Sequence, residues 1–319
     1  MTSTMAARPT TPETIRCGRL GSCAVAVSAI GFGFSPFFAS RAFAAGVDPV
    51  AASFARIALL SLALSPSARR LRQWPRTSWI VGVGGAISML GFAGYFVALQ
   101  RAPVAAATVV YYTYPAVVLA VSALWWKRRL RPREIGACLA ILVGVAMCIA
   151  PASPAGGSLL ALVPAVAAPI GWAIYLIVLS GPAAAMPTAP KMFAGSIGGV
   201  VALLPLAAIR TDFRFVPVTA DAAESIALLT VCTLAIPASL VTWGAPRAGD
   251  RATAMIGSVE FIVAISAAWA LMDGSIGTLQ LIGIAVILGA AATGARSSAR
   301  RPRRGSQPCA TMRRWRTRP

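Results

Sequence analysis

Residues 247–295 read RAGDRATAMIGSVEFIVAISAAWALMDGSIGTLQLIGIAVILGAAATGA. The stretch holds two apolar runs, each long enough to cross a bilayer, joined by a turn containing Asp273-Gly274. In the first run stands Glu260, the one acidic residue within any of the chain's apolar runs. A carboxylate at mid-membrane costs ~2.5–3.5 kcal/mol on insertion scales, so a residue kept there is a functional candidate.

A related stretch lies 146 positions earlier. Arg101-Ala102 fall on Arg247-Ala248, Tyr114 on Glu260, Pro115 on Phe261 and Val117 on Val263. After a one-residue slip in the connecting loop, Ile135-Gly136 fall on Ile282-Gly283. Few identities survive, but the order of features does: basic loop, small residues, central polar position, bulky end, turn, then Ile-Gly opening a glycine-containing helix. Ten apolar runs are expected, at about 22–40, 50–66, 78–99, 104–126, 135–151, 157–180, 191–209, 226–245, 252–272 and 278–295. Most are near the ~20 residues a bilayer requires. Each repeat then has five runs, an odd number, and the second must enter the membrane inverted relative to the first. Inverted repeats are how many secondary transporters switch access between two sides.

The expected fold is therefore an all-α polytopic membrane protein, ten transmembrane helices in two inverted five-helix repeats. A cytoplasmic arm (1–21) precedes the first repeat (22–154); the second repeat (155–295) is followed by an Arg-rich cytoplasmic tail (296–319). Ala42-Phe43-Ala44 after the first run resembles a signal-cleavage site, but removing that run would break the repeat, so it is counted as a span.

Composition agrees. Charged residues make up 12% of 319 and mean hydropathy is +0.74, against roughly 25% charged in soluble domains. The net charge of +20 could suggest nucleic acid, but its placement argues otherwise. With the N-terminus inside, 24 of the 29 Lys and Arg lie in cytoplasmic segments, 4 in outer loops, and Arg56 within the second run. That bias supports both the span count and an inner-membrane protein with cytoplasmic termini. The tail, with nine arginines after Ala295, reads as a basic segment held by anionic lipids at the cytoplasmic face rather than as a nucleic-acid arm.

The six cysteines have no C-x-x-C spacing, and Cys23, Cys138, Cys148 and Cys232 fall in apolar runs as small hydrophobes. Histidine is absent, which removes the commonest general base and metal ligand. No hydrolase or Walker-type motif is present. Neither an enzyme nor a nucleotide-driven pump is expected, and neither a cofactor nor a metal.

Several stretches resemble the drug/metabolite transporter superfamily, in its ten-span EamA-like branch of small-solute exporters. They are Phe54-Ala55-Arg56-Ile57-Ala58, Ala98-Leu99-Gln100, Tyr114-Pro115-Ala116-Val117, Gly171-Trp172-Ala173-Ile174-Tyr175, Ser258-Val259-Glu260 and Leu279-Gln280-Leu281-Ile282-Gly283. The resemblance covers about residues 22–295. It implies export of amino acids, related metabolites or drugs. Two places depart from the pattern. The Gly-Glu expected after the fourth and ninth runs is replaced by Trp126-Lys127-Arg128 and Met272-Asp273-Gly274. Phe261 stands where Pro usually follows the ninth-run Glu, so the resemblance carries no helix break to this position.

The candidate substrate and proton pathway begins with Glu260. Burial disfavours its charged form, so it can gain and lose a proton as the cavity changes side; the alternative is a static partner for a buried cation or backbone groups. Arg56 can bind a substrate carboxylate, pair with Glu260 as a gate, or snorkel to the headgroups. Tyr111 and Tyr114 share a helix face, with Tyr112 about 100° round; their hydroxyls suit a polar cavity or simple helix packing. Trp172, Tyr175 and Trp243 can stack on an organic solute or serve packing and interface roles. Pro36, Pro115, Pro169 and Pro237 free backbone carbonyls within runs, as at hinges or cavity walls. The glycines of Gly82-x-Gly84-Gly85 and Gly195-x-x-Gly198-Gly199 indicate close helix packing. Leading the functional readings is a proton-coupled exporter of small organic solutes. An uncoupled uptake or exchange carrier of the same fold, and a structural or assembly subunit without transport, remain as alternatives. Oligomeric state is left open.

Overall fold

A computed structural model describes residues 12–99, 110–125, 127, 130–149, 159–211, 219–271 and 277–299. Arg101, Asp273-Gly274 and the tail beyond 299 lie outside them. Every element among the described residues is helical. In a bilayer this follows from the backbone, whose N–H and C=O groups find no water and must be satisfied within each segment.

α1 (Pro12–Gly33) and α2 (Ser35–Ala44) form one apolar stretch broken at Phe34. α3 (Pro49–Ala63) bends by 55° into a short segment ending in α4 (Ala68–Leu71), and α5 (Pro75–Leu99) follows. α6 (Tyr114–Trp125) and α7 (Pro132–Ile149) complete the first half. The second half opens with a 3-10 segment (Leu159–Val166) leading into α8 (Ala167–Ser180), then α9 (Thr188–Thr211). α10 (Ala220–Thr230) joins α11 (Ile236–Ala248) through a π-helical turn. α12 (Asp250–Gly257), α13 (Val259–Leu271) and α14 (Thr278–Ala299) end the described chain.

Among the described residues, five helical stretches are long and apolar enough to cross a membrane, or six with the bent 49–71 pair. The ten expected runs each contain helix. Those at 104–126, 135–151, 252–272 and 278–295 carry shorter helices, or helices that run up against residues outside the described set. Within the arm expected over 1–21, the chain from Pro12 onward is already helix α1, with proline at its start, where the missing N–H costs nothing. Ala42 of the cleavage-like triplet is fully buried within α2.

Small residues set the packing. α5 lies along α9 so closely that a Cβ on Gly198 would collide with the Gly82 carbonyl, and one on Gly85 with that of Gly195. α7 lies along α14, where a Cβ on Gly144 would stand 2.8 Å from the Gly283 carbonyl oxygen and the reverse 2.7 Å. α1 packs along α11 and against α12 and α13, while α8 packs along α5 and against α6. Without a hydrophobic drive between helices in lipid, such close approach supplies the van der Waals contact that holds them.

Candidate functional site

The chain from α12 to α13 does not run straight through. α12 ends at Gly257, Ser258 forms a turn, and α13 restarts at Val259 with Glu260 in its first turn. The Ala254 carbonyl accepts bonds from the Ser258 hydroxyl and from the Tyr114 hydroxyl, both at 3.2 Å. Gly257 is needed here because a Cβ would stand 2.5 Å from the Tyr114 hydroxyl oxygen. The helix thus breaks without the proline that the family pattern has at position 261. A second break precedes α6, where Thr113 Oγ1 donates to the Val110 carbonyl at 2.7 Å and helix restarts at Tyr114-Pro115. A third lies at Phe34. Just before it, a Cβ on Gly33 would stand 2.7 Å from the Glu260 carbonyl oxygen.

Around these breaks the rings converge. Tyr111, Tyr112 and Tyr114 are buried, with Tyr111 5.1 Å from Tyr112 and 5.7 Å from Tyr114 between ring centroids. Phe92 and Tyr95 of α5 each stand 5.6 Å from Tyr111, and Phe261 stands 4.7 Å edge-on to Tyr112. Trp172 of α8 joins through Phe92 at 6.2 Å and Phe32 at 6.0 Å. Half-buried Glu260 lines a cavity of ≈ 10 Å³ with Ser28, Phe32, Tyr114, Trp172 and Thr253. Tyr112 interacts electrostatically with its carboxylate.

Arg56 is half-buried in α3 and does not pair directly with Glu260; Tyr111 interacts electrostatically with both. Tyr175 stands 6.1 Å from Trp172 with its hydroxyl against Gly195. Trp243 is not brought to this cluster. It lies elsewhere on α11, with the Arg247 guanidinium 3.8 Å over its ring and donating to its carbonyl. Pro36, Pro115, Pro169 and Pro237 each fall in the first turn of a helix that follows a break or a non-α segment. At Pro36 and Pro115 the missing N–H falls where a helix restarts after a turn, whereas Pro169 and Pro237 follow directly on helical segments and leave a carbonyl of the preceding turn without its donor.

Sequence reasoning missed a second buried charged group. Arg251, read as a loop cation, is 3% exposed and donates from Nη1 to Glu134 Oε2 at 2.7 Å, with the Glu134 side chain 0% exposed. Arg251 Nε donates to Ser122 Oγ at 2.8 Å, and the Arg131 backbone N–H donates to Glu134 at 3.2 Å. Asp250, also buried, accepts from the Arg251 backbone N–H at 2.8 Å. One signal could have found the pair: Glu134 is the only acidic residue between Asp48 and Asp212. Lys191, read as another loop cation, is 1% exposed at the start of α9.

Residues 19–150 match the family model of the EamA-like transporter family. No curated protein matches the chain. A crystal structure of a protein 22% identical superposes with a TM-score of 0.71, covering 86% of this chain and 97% of that one, and shows that the fold is shared.

Proposed function

We propose, from a membrane protein whose residues 19–150 match the EamA-like transporter family, that it exports small organic solutes by proton antiport. The substrate class comprises amino acids, related metabolites or drugs. The observation that carries the reading is Glu260, in the first turn of a restarted helix, lining the cavity beside Tyr114 and Trp172. Broken helices bearing a polar group are where secondary transporters bind substrate and coupling ion. The Tyr112 hydroxyl can donate to the carboxylate, and can accept from it once Glu260 is protonated. Proton and solute would then compete for one cavity. Arg56 and the rings around Tyr111 and Trp172 supply a counter-charge and stacking walls. At ≈ 10 Å³ the cavity is far below the roughly 300 Å³ a small-molecule site needs, so the bundle must open to load.

Ten spans in two inverted repeats, 22–154 and 155–295, remain part of this reading. Reciprocal packing supports them: α1 on α11 and α13 is matched by α8 on α5 and α6, and the closing helices α7 and α14 lie against each other. The restarts at Tyr114 and Val259 are 145 positions apart, within one of the sequence offset. With both termini cytoplasmic, the arginine-rich loops face inward.

The test compares metabolites released by cells expressing this protein with cells expressing Glu260→Gln. A small set of solutes should rise outside the wild-type cells, respond to an imposed pH gradient, and return to background in the variant. Equal release by both, independent of pH, would remove the proton site and favour an uncoupled carrier. No release by either would remove export.

A further inference from the structure

The contact between α5 and α9 leaves a furrow on its outer side. Gly82 and Gly198 bring the two backbones together, and with no side chains there a cavity of ≈ 430 Å³ remains. Its walls are apolar, bounded by Trp79, 75% exposed, and Val201, 67% exposed. The furrow therefore opens away from the core, towards the surroundings of the bundle. Leu71 and Pro75 form its mouth.

The chain beside these two residues is strongly charged. Arg72 follows Leu71 and Arg76 follows Pro75; with Arg69 and Arg70 they make four exposed arginines from α4 to the first turn of α5. None has an ion-pair partner among the described residues, and no acidic residue occurs anywhere in 49–133. An apolar slot between two helices long and apolar enough to cross a membrane, adjoining an arginine-rich segment, matches one kind of molecule in shape and charge. Basic pockets between transmembrane helices bind anionic headgroups, and Arg pairs with phosphate through two parallel hydrogen bonds.

We propose that this furrow binds an anionic phospholipid, one acyl chain lying between Trp79 and Val201 and the phosphate held at Arg72 and Arg76. The site is separate from the Glu260 cavity. None of its lining residues is shared with that cavity, so transport through Glu260 and lipid binding here can fail independently.

The experiment is native mass spectrometry of the purified full chain in detergent, supplied with equal amounts of phosphatidylglycerol and phosphatidylcholine. The wild type should retain one phosphatidylglycerol in preference. Arg72→Gln with Arg76→Gln should cut that preference by roughly thirtyfold, the loss expected for two arginines at an anionic surface. Ala86→Trp, which fills the furrow from α5, should reduce retention of both lipids. Thermal melting checks that each variant is folded. Equal retention of the two lipids by the wild type, or undiminished preference in the double variant, would overturn the proposal. So would a dimer that dissociates in Ala86→Trp, since a second copy would then cover the face.

Discussion

Glu134 and Arg251 meet at 2.7 Å with side chains 0 and 3% exposed, whereas Asp48 and Arg210 meet at 3.2 Å with side chains 27 and 32% exposed. The two pairs sit at opposite ends of the bundle. Lys191, at the start of α9, interacts with Arg247, four residues before Arg251. Arg210 ends the same helix 19 residues further on, ~28 Å away at 1.5 Å per residue. At the first end, a carboxylate from one half of the chain and a guanidinium from the other are both removed from water. Each would be costly alone, and the bonds from Arg251 Nε to Ser122 Oγ and from the Arg131 N–H to Glu134 offset part of that cost. At the second end, water screens the pair, and Asp48 also caps α3, accepting from Val50 N at 2.8 Å and Ala51 N at 3.1 Å. The arginine-rich end is therefore locked by charges that cannot part cheaply, and the other end is fastened only lightly. On the proposed function, which requires the bundle to open to each side in turn, this conformation is the one closed most firmly at the arginine-rich end.

The largest expected effect breaks the first lock. Glu134→Gln leaves Arg251 buried without its counter-charge and should destabilise the protein by about 3–5 kcal/mol, read by equilibrium unfolding in detergent. Replacing both partners, Glu134→Leu with Arg251→Met, should recover most of the loss, because neither member of the pair is then left buried without the other. A loss below about 1 kcal/mol in the single variant would place the pair with surface pairs and erase the contrast between the ends.

The comparison also marks what a sequence can convey. The apolar runs were legible because so few charged residues interrupt them, and Glu260 stood out against a background with no other acid. The glycines of α5 and α9 were legible as packing positions, and they meet each other. Glu134 and Arg251 were not legible, since each adjoins a basic loop and their burial depends on segments 117 residues apart. Lys191 was hidden in the same way. The break at Ser258 was hidden because Gly257 and the Tyr114 hydroxyl replace the proline. Trp243 and Trp172 look alike in sequence; only the packing of α11 and α8 separates a ring under Arg247 from one beside Phe92.

The smaller effects test the light end, and they separate Asp48's two roles. Asp48→Ala removes the cap of α3 and the ion pair together, and should cost about 1–2 kcal/mol, most of it from the cap. Asp48→Asn keeps an oxygen for the Val50 and Ala51 N–H groups, so only the pair is lost. Arg210→Gln removes the same pair from the other side. Both of these should cost about 0.2–1 kcal/mol, and the cost should shrink as salt is added, because exposed charges are screened. Unfolding midpoints of the three variants at low and high salt supply the measurement. If Arg210→Gln costs as much as Glu134→Gln and ignores salt, the two ends are held alike, and the firm closure assigned to the arginine-rich end loses its basis.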